Sequence, residues 1–205
     1  QNSGALAVGR MFRLLLRRPR IATPSPYTTL VRSPAALAAE LPDLEVRHQT
    51  GRDRDEPVRA AYAAAGFPQA RVEPFIDDVA AALLWADLIV ARAGATTVAE
   101  LACVGRPALF VPFPHAADDH QTANARSLVD HGAAEMAREE TLDQNTLIAR
   151  LRALLADRAR LAEMGQKARE RGRPEAARAI VLDLLTLAGR ADLAPVPARL
   201  NGEAA

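Results

Sequence analysis

From about residue 34 onward, apolar and polar positions alternate between a period typical of strands and a period typical of helices. The segment LEVRHQT (44–50) alternates like a strand and ends at Gly51, and EPVRAAYAAAG (56–66) follows with helical spacing. The run ADLIVA (86–91) is apolar apart from Asp87 near its start, which is typical of a parallel strand covered on both faces. The pattern therefore predicts strands and helices in regular alternation.

The rest of the chain extends this alternation. Further strands are predicted at ARVEPF (70–75), PALFVPF (107–113) and AAEMA (133–137), and further helices at DDVAAALLWA (77–86), TTVAELACVG (96–105), DDHQTANARSLVDHG (118–132) and, as two or three helices, from about 142 to 187. Short connections between alternating strands and helices imply an α/β fold, a doubly wound, Rossmann-like parallel sheet. In such sheets, ligands bind beyond the carboxyl ends of the strands, where the loops enter the helices.

Composition narrows the class of protein. The chain has 205 residues, of which 49% are hydrophobic, so it can bury the core of one main domain. The net charge of +1 argues against a nucleic-acid partner, and the single cysteine, Cys103, excludes an internal disulfide. No apolar stretch approaches the roughly 20 residues that span a bilayer, so we expect a protein that is soluble or at most membrane-peripheral.

Three predicted loops follow a strand and open a helix: FIDD (75–78), RAGATT (92–97) and PFPHAADDHQ (112–121). Each offers unpaired backbone N–H groups and the positive end of a helix dipole, an arrangement that suits a phosphate. In the second loop, Gly94 lets the backbone approach an anion without an intervening Cβ. The hydroxyl groups of Thr96 and Thr97 can add further donors.

Glu100 lies three residues after Thr97 and four after Thr96, so the three side chains share one face of the predicted helix. A carboxylate can accept two hydrogen bonds at once, and the cis-diol of a ribose supplies two donors. TVAE (97–100) is also a Thr-x-x-Glu capping box, in which Glu100 bonds the backbone at the helix start. The residues alone leave both interpretations open.

In the third loop, His120, Gln121 and Asn124 share one helix edge because they are spaced i, i+1 and i+4. Such groups both donate and accept hydrogen bonds and suit sugar hydroxyls, although a solvated helix face explains the pattern equally well. His115 and His120 with Asp118 and Asp119 could also suggest a metal site, but His115 precedes the helix and no cysteine or third well-spaced ligand is nearby. We therefore predict no metal site.

The motif series FIDDVAAALLWADLIVARAGATTVAELACVGRPALFVPFPHAADDHQTANARSLVDHGAA (75–134) closely resembles the C-terminal domain of the MurG family, and HQTG (48–51) also fits. The match runs from about Pro34 to Gly189. Members of that family are inverting, metal-independent transferases of the two-domain GT-B fold, and no cofactor is implied. They move N-acetylglucosamine from UDP-N-acetylglucosamine to lipid I, making lipid II for peptidoglycan at the cytoplasmic face of the membrane.

The resemblance implies a role for each matching position. The C-terminal domain is the half that binds the donor UDP-N-acetylglucosamine. The backbone at Ile76 would read the uracil, and Glu100 would hold the ribose hydroxyls. The diphosphate would face Ala95, Thr96 and Thr97, and the N-acetylglucosamine would face Gln121 with His120 or Asn124. The third loop is one residue longer than in some members, so His120 is the less secure assignment.

The resemblance fails toward the amino terminus. The family's N-terminal domain carries a glycine-rich loop with a histidine, GGTGGH-like, which meets the acceptor and supplies the expected general base. This chain has neither that motif nor a GGSxGA loop, so we expect no catalytic residue here and contact with lipid I only through the absent domain.

TPSPYTTLVRS (23–33) stands where the second glycine loop belongs and resembles translated sequencing-adapter read-through. We therefore expect residues 1–33 to be foreign to the family, 34–189 to form the nucleotide-sugar-binding domain, and 190–205 to be a disordered tail. The first, central strand of the sheet is then expected to be missing, at a cost in stability, unless a piece such as GALAV (4–8) replaces it.

Several alternatives remain. Residues 1–33 contain six arginines and no acid, so they could be a genuine basic arm for a membrane or an acidic partner. The chain as it stands could be a catalytically inactive UDP-sugar-binding fragment. A nicotinamide dinucleotide-binding domain is a third interpretation. No G-x-G-x-x-G follows a strand, although the lost first strand is where that motif would be.

Overall fold

A computed structural model describes residues 12–17, 33–37, 40–114 and 116–193. It divides the chain into two compact units, residues 1–172 and 173–205. The described part of the second unit contains helix α7 (Ala176–Leu187) and a short 3-10 turn, Ala191–Leu193. The sheet and all the candidate site residues belong to the first unit.

Six parallel strands form one sheet. They are β1 (Phe12–Arg17), β2 (Leu44–Gln49), β3 (Arg71–Glu73), β4 (Leu88–Ala91), β5 (Ala108–Phe110) and β6 (Ala134–Met136). Their spatial order is β3-β2-β1-β4-β5-β6, which confirms the doubly wound α/β fold. The strand order reverses between β1 and β4, so the carboxyl ends of these two strands flank the crevice where ligands bind in this architecture.

Helices cover both faces of the sheet. After a helical stretch at residues 33–37, the first unit contains α1 (Asp55–Ala64), α2 (Val79–Trp85), α3 (Ala95–Val104), α4 (His120–Val129), α5 (Gln144–Ala156) and α6 (Arg158–Arg171). Buried side chains of α1 and α5 pack in one core cluster. Those of α2, α3 and α4 pack in the other. Each predicted helix is confirmed, with shifts of a few residues at its ends.

The expectation that the central strand is missing is wrong. β1 occupies that position, pairing Leu16 with His48 of β2 on one side and with Val90 of β4 on the other. Leu14 and Leu16 enter one core cluster and Leu15 enters the other, and all three are at most 2% exposed. Pairing with β1 supplies ladder hydrogen bonds to β2 and β4, and its three leucines cover both faces of the sheet. The reason for expecting a weak fold therefore disappears.

Other predictions about the ends of the chain lie outside the described residues. These are GALAV (4–8), most of TPSPYTTLVRS (23–33), and the tail from residue 194 onward. The foreign origin of residues 1–33 stays a prediction. No helix in the described ranges is long and apolar enough to cross a membrane.

Candidate functional site

The loop after β3 places Ile76 at the carboxyl edge of the sheet. The Ile76 side chain is 1% exposed and packs in the core, whereas the neighbouring Phe75 ring is 64% exposed. No hydrogen bond within the described ranges uses the backbone N–H or C=O of Ile76. The buried side chain therefore anchors the loop while its backbone polar groups stay available.

Two residues of HQTG fasten this same loop, which the sequence analysis did not foresee. The backbone N–H and the hydroxyl of Thr50 both donate to the Glu73 carbonyl, at 2.9 and 3.2 Å. The N–H of Gly51 donates to the Pro74 carbonyl at 3.1 Å. Thr50 is buried. The turn after β2 therefore supports the backbone that leads to Ile76.

The loop after β4 opens α3 at Gly94. Gly94 has φ −64° and ψ 145°, and a Cβ built on it meets only the Thr97 hydroxyl, at 3.9 Å. Any residue can adopt this backbone conformation, so the glycine is not required by its dihedral angles. Ala95 and Thr96 are exposed and Thr97 is half-buried. The first turn of α3 therefore presents its N–H groups on an accessible surface.

The start of α3 decides between the two interpretations of TVAE. The helix begins at Ala95 with Gly94 as its N-cap, and the N–H of Val98 already bonds the Gly94 carbonyl at 3.0 Å. Thr97 is therefore the third helical residue and cannot be the cap of a capping box, so that interpretation is wrong. Glu100 lies half-buried in the second turn, on the side away from the stripe formed by the buried Val98, Leu101 and Ala102.

The loop after β5 is tied to α4 by Gln121. The side-chain oxygen of Gln121 accepts a hydrogen bond of 3.0 Å from the backbone N–H of Phe113. This partner fixes the orientation of the amide, because the N–H group requires an oxygen. The NH2 group of Gln121 is then the half that remains to donate elsewhere.

Asn124 shows the reverse arrangement. Its side-chain NH2 group donates to the Ala93 carbonyl at 3.0 Å, which leaves the amide oxygen as an acceptor. Ala93 directly precedes Gly94, so Asn124 links α4 to the start of α3. Both amides were predicted to donate and accept, and in the structure one half of each is already bonded to the backbone.

His120 is exposed and is the first residue of α4. The helix begins two residues later than predicted, because Asp118 and Asp119 both adopt left-handed conformations with φ 50°. Such conformations are unfavourable for residues other than glycine and interrupt the helix. His115, the other histidine considered for a metal site, lies outside the described residues.

Arg92 was not predicted as a site residue from the sequence. This residue directly follows β4 and is only 6% exposed. Its guanidinium donates to the carbonyls of Val111 and Pro112 at 3.0 and 2.9 Å and forms an ion pair with Glu139. The sequence around Arg92 does not indicate that the side chain is buried, because its partners lie in loops later in the chain.

At the carboxyl edge, the structure thus places three loops and the first turns of α3 and α4, with polar groups fixed by the contacts above. Residues 25–180 match the glycosyltransferase family 28 C-terminal domain. This match covers more than half of the chain. The chain belongs to glycosyltransferase family 28.

Relatives within family 28 confirm the resemblance to MurG. A UDP-N-acetylglucosamine--N-acetylmuramyl-(pentapeptide) pyrophosphoryl-undecaprenol N-acetylglucosamine transferase from Nitratidesulfovibrio vulgaris is 51% identical over 157 residues, covering 74% of this chain and 43% of the relative. A protein of the same name from Acidithiobacillus ferrooxidans is 49% identical over 161 residues, covering 77% of this chain and 44% of the relative. The match thus spans less than half the length of these relatives.

Solved structures agree with the family 28 match. Acinetobacter baumannii MurG superimposes with a TM-score of 0.76 and 37% identity, covering 91% of this chain and 55% of that protein. A UDP-GlcNAc 2-epimerase from Neisseria meningitidis, solved with UDP-GlcNAc, gives a TM-score of 0.61 at 12% identity. The match covers 86% of this chain and 44% of that protein. The second likeness shows the fold alone.

Proposed function

We propose that this chain is the donor-binding half of an inverting, metal-independent transferase that moves N-acetylglucosamine from UDP-N-acetylglucosamine to lipid I. The family match and relatives about 50% identical to the chain support this proposal. The whole enzyme would make lipid II for peptidoglycan at the cytoplasmic face of the membrane. Lipid I and the general base would belong to the N-terminal domain that such enzymes carry.

The observation that carries the proposal is the open first turn of α3 beside the point where the strand order reverses. Gly94 leaves space above this turn, and Ala95, Thr96 and Thr97 would donate N–H and hydroxyl groups to the diphosphate. The charge of a nucleoside diphosphate is well matched to the positive end of a helix dipole.

Glu100 would hold the ribose. This residue lies in the second turn of α3, about one turn beyond the residues that would face the diphosphate. A carboxylate that accepts from both hydroxyls of the cis-diol fits this position. The backbone of Ile76, held by its buried side chain, would pair with the polar edge of the uracil.

The sugar would meet α4. Gln121 would donate from its NH2 group and Asn124 would accept at its amide oxygen, because their other halves are bound to Phe113 and Ala93. His120, exposed at the start of α4, would add a third polar contact. One donor and one acceptor in fixed orientations suit hydroxyl groups, which can serve as either partner.

Calorimetric titration of the 205-residue chain with UDP-N-acetylglucosamine, UDP and NAD tests the proposal. We expect the chain to bind UDP-N-acetylglucosamine and UDP but not NAD. We also expect that this chain alone does not transfer the sugar to lipid I. Binding of NAD but not UDP would instead favour the dinucleotide-binding alternative. A chain that does not bind UDP would refute the donor-site proposal.

Glu100→Ala tests the ribose role within the same titrations. Loss of hydrogen bonds to a charged group costs about 1.5–3 kcal/mol, so UDP affinity should fall about ten- to a hundredfold. The matched control is Glu170→Ala, which removes an exposed carboxylate on α6 and should leave affinity unchanged. Equal affinity of wild type and Glu100→Ala would remove the ribose role.

A further inference from the structure

Arg92 is a buried cation in the loop after β4. The residue is 6% exposed, and one guanidinium nitrogen, Nη1, donates to the carbonyls of Val111 and Pro112. Burying a charged group is strongly unfavourable unless it is paired and hydrogen-bonded. Both carbonyls belong to the loop after β5, so Arg92 is hydrogen-bonded directly to this loop.

Two further contacts complete its surroundings. The Glu139 carboxylate, in the 3-10 turn after β6, pairs with the guanidinium. The Phe113 ring lies with its centroid 5.5 Å from the guanidinium carbon, within the range of a cation–π interaction. A single side chain at the end of β4 therefore contacts the segments that follow β5 and β6.

The loop that Arg92 holds is hydrogen-bonded to Gln121. Phe113 follows Pro112 in the chain, and its backbone N–H donates to the Gln121 side-chain oxygen at 3.0 Å. This bond is what orients the Gln121 amide. If the β5 loop shifts, the N–H moves away, and the amide is no longer held with its NH2 group available.

We propose that Arg92 is a positioning residue, which holds the loop after β5 so that Phe113 fixes the Gln121 amide for contact with the donor sugar. The proposal rests on the proposed function for its last step, the contact with the sugar. Arginine suits this position because its planar guanidinium lies over the Phe113 ring while Nη1 bonds the two carbonyls and pairs with Glu139, whereas a lysine ammonium offers no planar group to lie over the ring.

The positioning step can be tested without ligand, by amide hydrogen exchange at Phe113. Arg92→Lys is expected to speed exchange of the Phe113 amide at least tenfold while the amides of β2 keep their protection. The control is Arg47→Lys, which changes a half-buried arginine paired with Glu73, remote from this loop. Unchanged Phe113 exchange in Arg92→Lys would overturn the proposal. If that variant does not fold, Glu139→Gln should show a smaller loss of protection at the same amide, and no loss would equally overturn it.

The link to the sugar can be tested by a double-mutant cycle between Arg92→Lys and Gln121→Ala. Arg92→Lys should lower the affinity for UDP-N-acetylglucosamine about tenfold, as expected for one lost hydrogen bond, while the affinity for UDP should change less than about threefold. In the Gln121→Ala background the same change should have little further effect. An equal loss in both backgrounds would overturn the role through Gln121. If wild type binds neither ligand, the proposed function fails, whereas the exchange experiment still decides the positioning step.

Discussion

Replacing Gly94 with alanine separates folding from binding at the turn after β4. The backbone at Gly94 has φ −64° and ψ 145°, which alanine adopts without strain. The added methyl group would meet only the Thr97 hydroxyl, at 3.9 Å, an ordinary van der Waals contact. The folded chain can therefore accommodate the side chain, and any large effect must come from a ligand.

The expected change in stability is small. Replacing glycine by alanine at a compatible position stabilises a protein by about 0.4–1 kcal/mol through the unfolded state. Alanine is a poorer N-cap than glycine by a similar amount, about 0.5–1 kcal/mol. These opposing effects leave the free energy of unfolding within about 0.5 kcal/mol of wild type.

The expected change in binding is much larger. If the diphosphate approaches the backbone at this turn, the methyl group keeps it from at least one N–H donor. One such charge-assisted hydrogen bond contributes about 1.5–3 kcal/mol, so the Kd for UDP should rise about ten- to a hundredfold. Urea unfolding measures the stability change, and calorimetric titration with UDP measures the affinity.

Gly105→Ala is the matched control because it should behave in the opposite way. Gly105 has φ +65°, and an added Cβ would lie 2.7 Å from Arg169 Nε and 3.1 Å from the Gly165 carbonyl oxygen. A left-handed alanine in a tight contact should cost about 2–5 kcal/mol of stability. UDP affinity should stay unchanged, because Gly105 lies at the far end of α3. Unchanged UDP affinity in Gly94→Ala would refute the reasoning that the diphosphate lies against this backbone.

Two further predictions concern stability. Asp143 caps α5 by accepting a 2.7 Å hydrogen bond from the Thr146 N–H, so Asp143→Ala should cost about 1 kcal/mol in urea unfolding and Asp143→Asn much less. The Arg47 guanidinium donates to Glu73 and holds the pKa of that carboxyl below its ordinary value. Its stabilisation is therefore present above the unfolded-state pKa of about 4.3 and is lost as the pH falls through the folded-state pKa. The difference in urea midpoint between wild type and Glu73→Gln should shrink below about pH 4, and a constant difference would contradict this assignment.

The alternation of apolar and polar residues was sufficient to predict β2 to β6 and the helices between them. Parallel strands such as LIVA (88–91) are buried on both faces, so their sequences are apolar without interruption. The three loops of the candidate site could be predicted from the same alternation, because each follows a predicted strand and opens a predicted helix. Long ordered motifs then indicated the family, which the match over residues 25–180 shows.

The sequence did not predict β1. FRLLLR (12–17) has only three consecutive apolar residues between arginines, and no neighbouring motif assigns it to the sheet. Its place became evident only from pairing with β2 and β4, strands that begin at Leu44 and Leu88. Local periodicity contains no information about pairing over such separations in the chain.

The fold class, the family and the loops that form the candidate site could all be predicted from the sequence, because burial on two faces and helix entry leave local signals. The use of the polar groups within those loops depends on the folded chain. Arg92 bonds carbonyls 19 and 20 residues further along, and Gln121 and Asn124 each commit one half of an amide to a distant backbone group. Hydrogen-bond partners are chosen by proximity in space, and proximity is set by the strand order of the folded sheet.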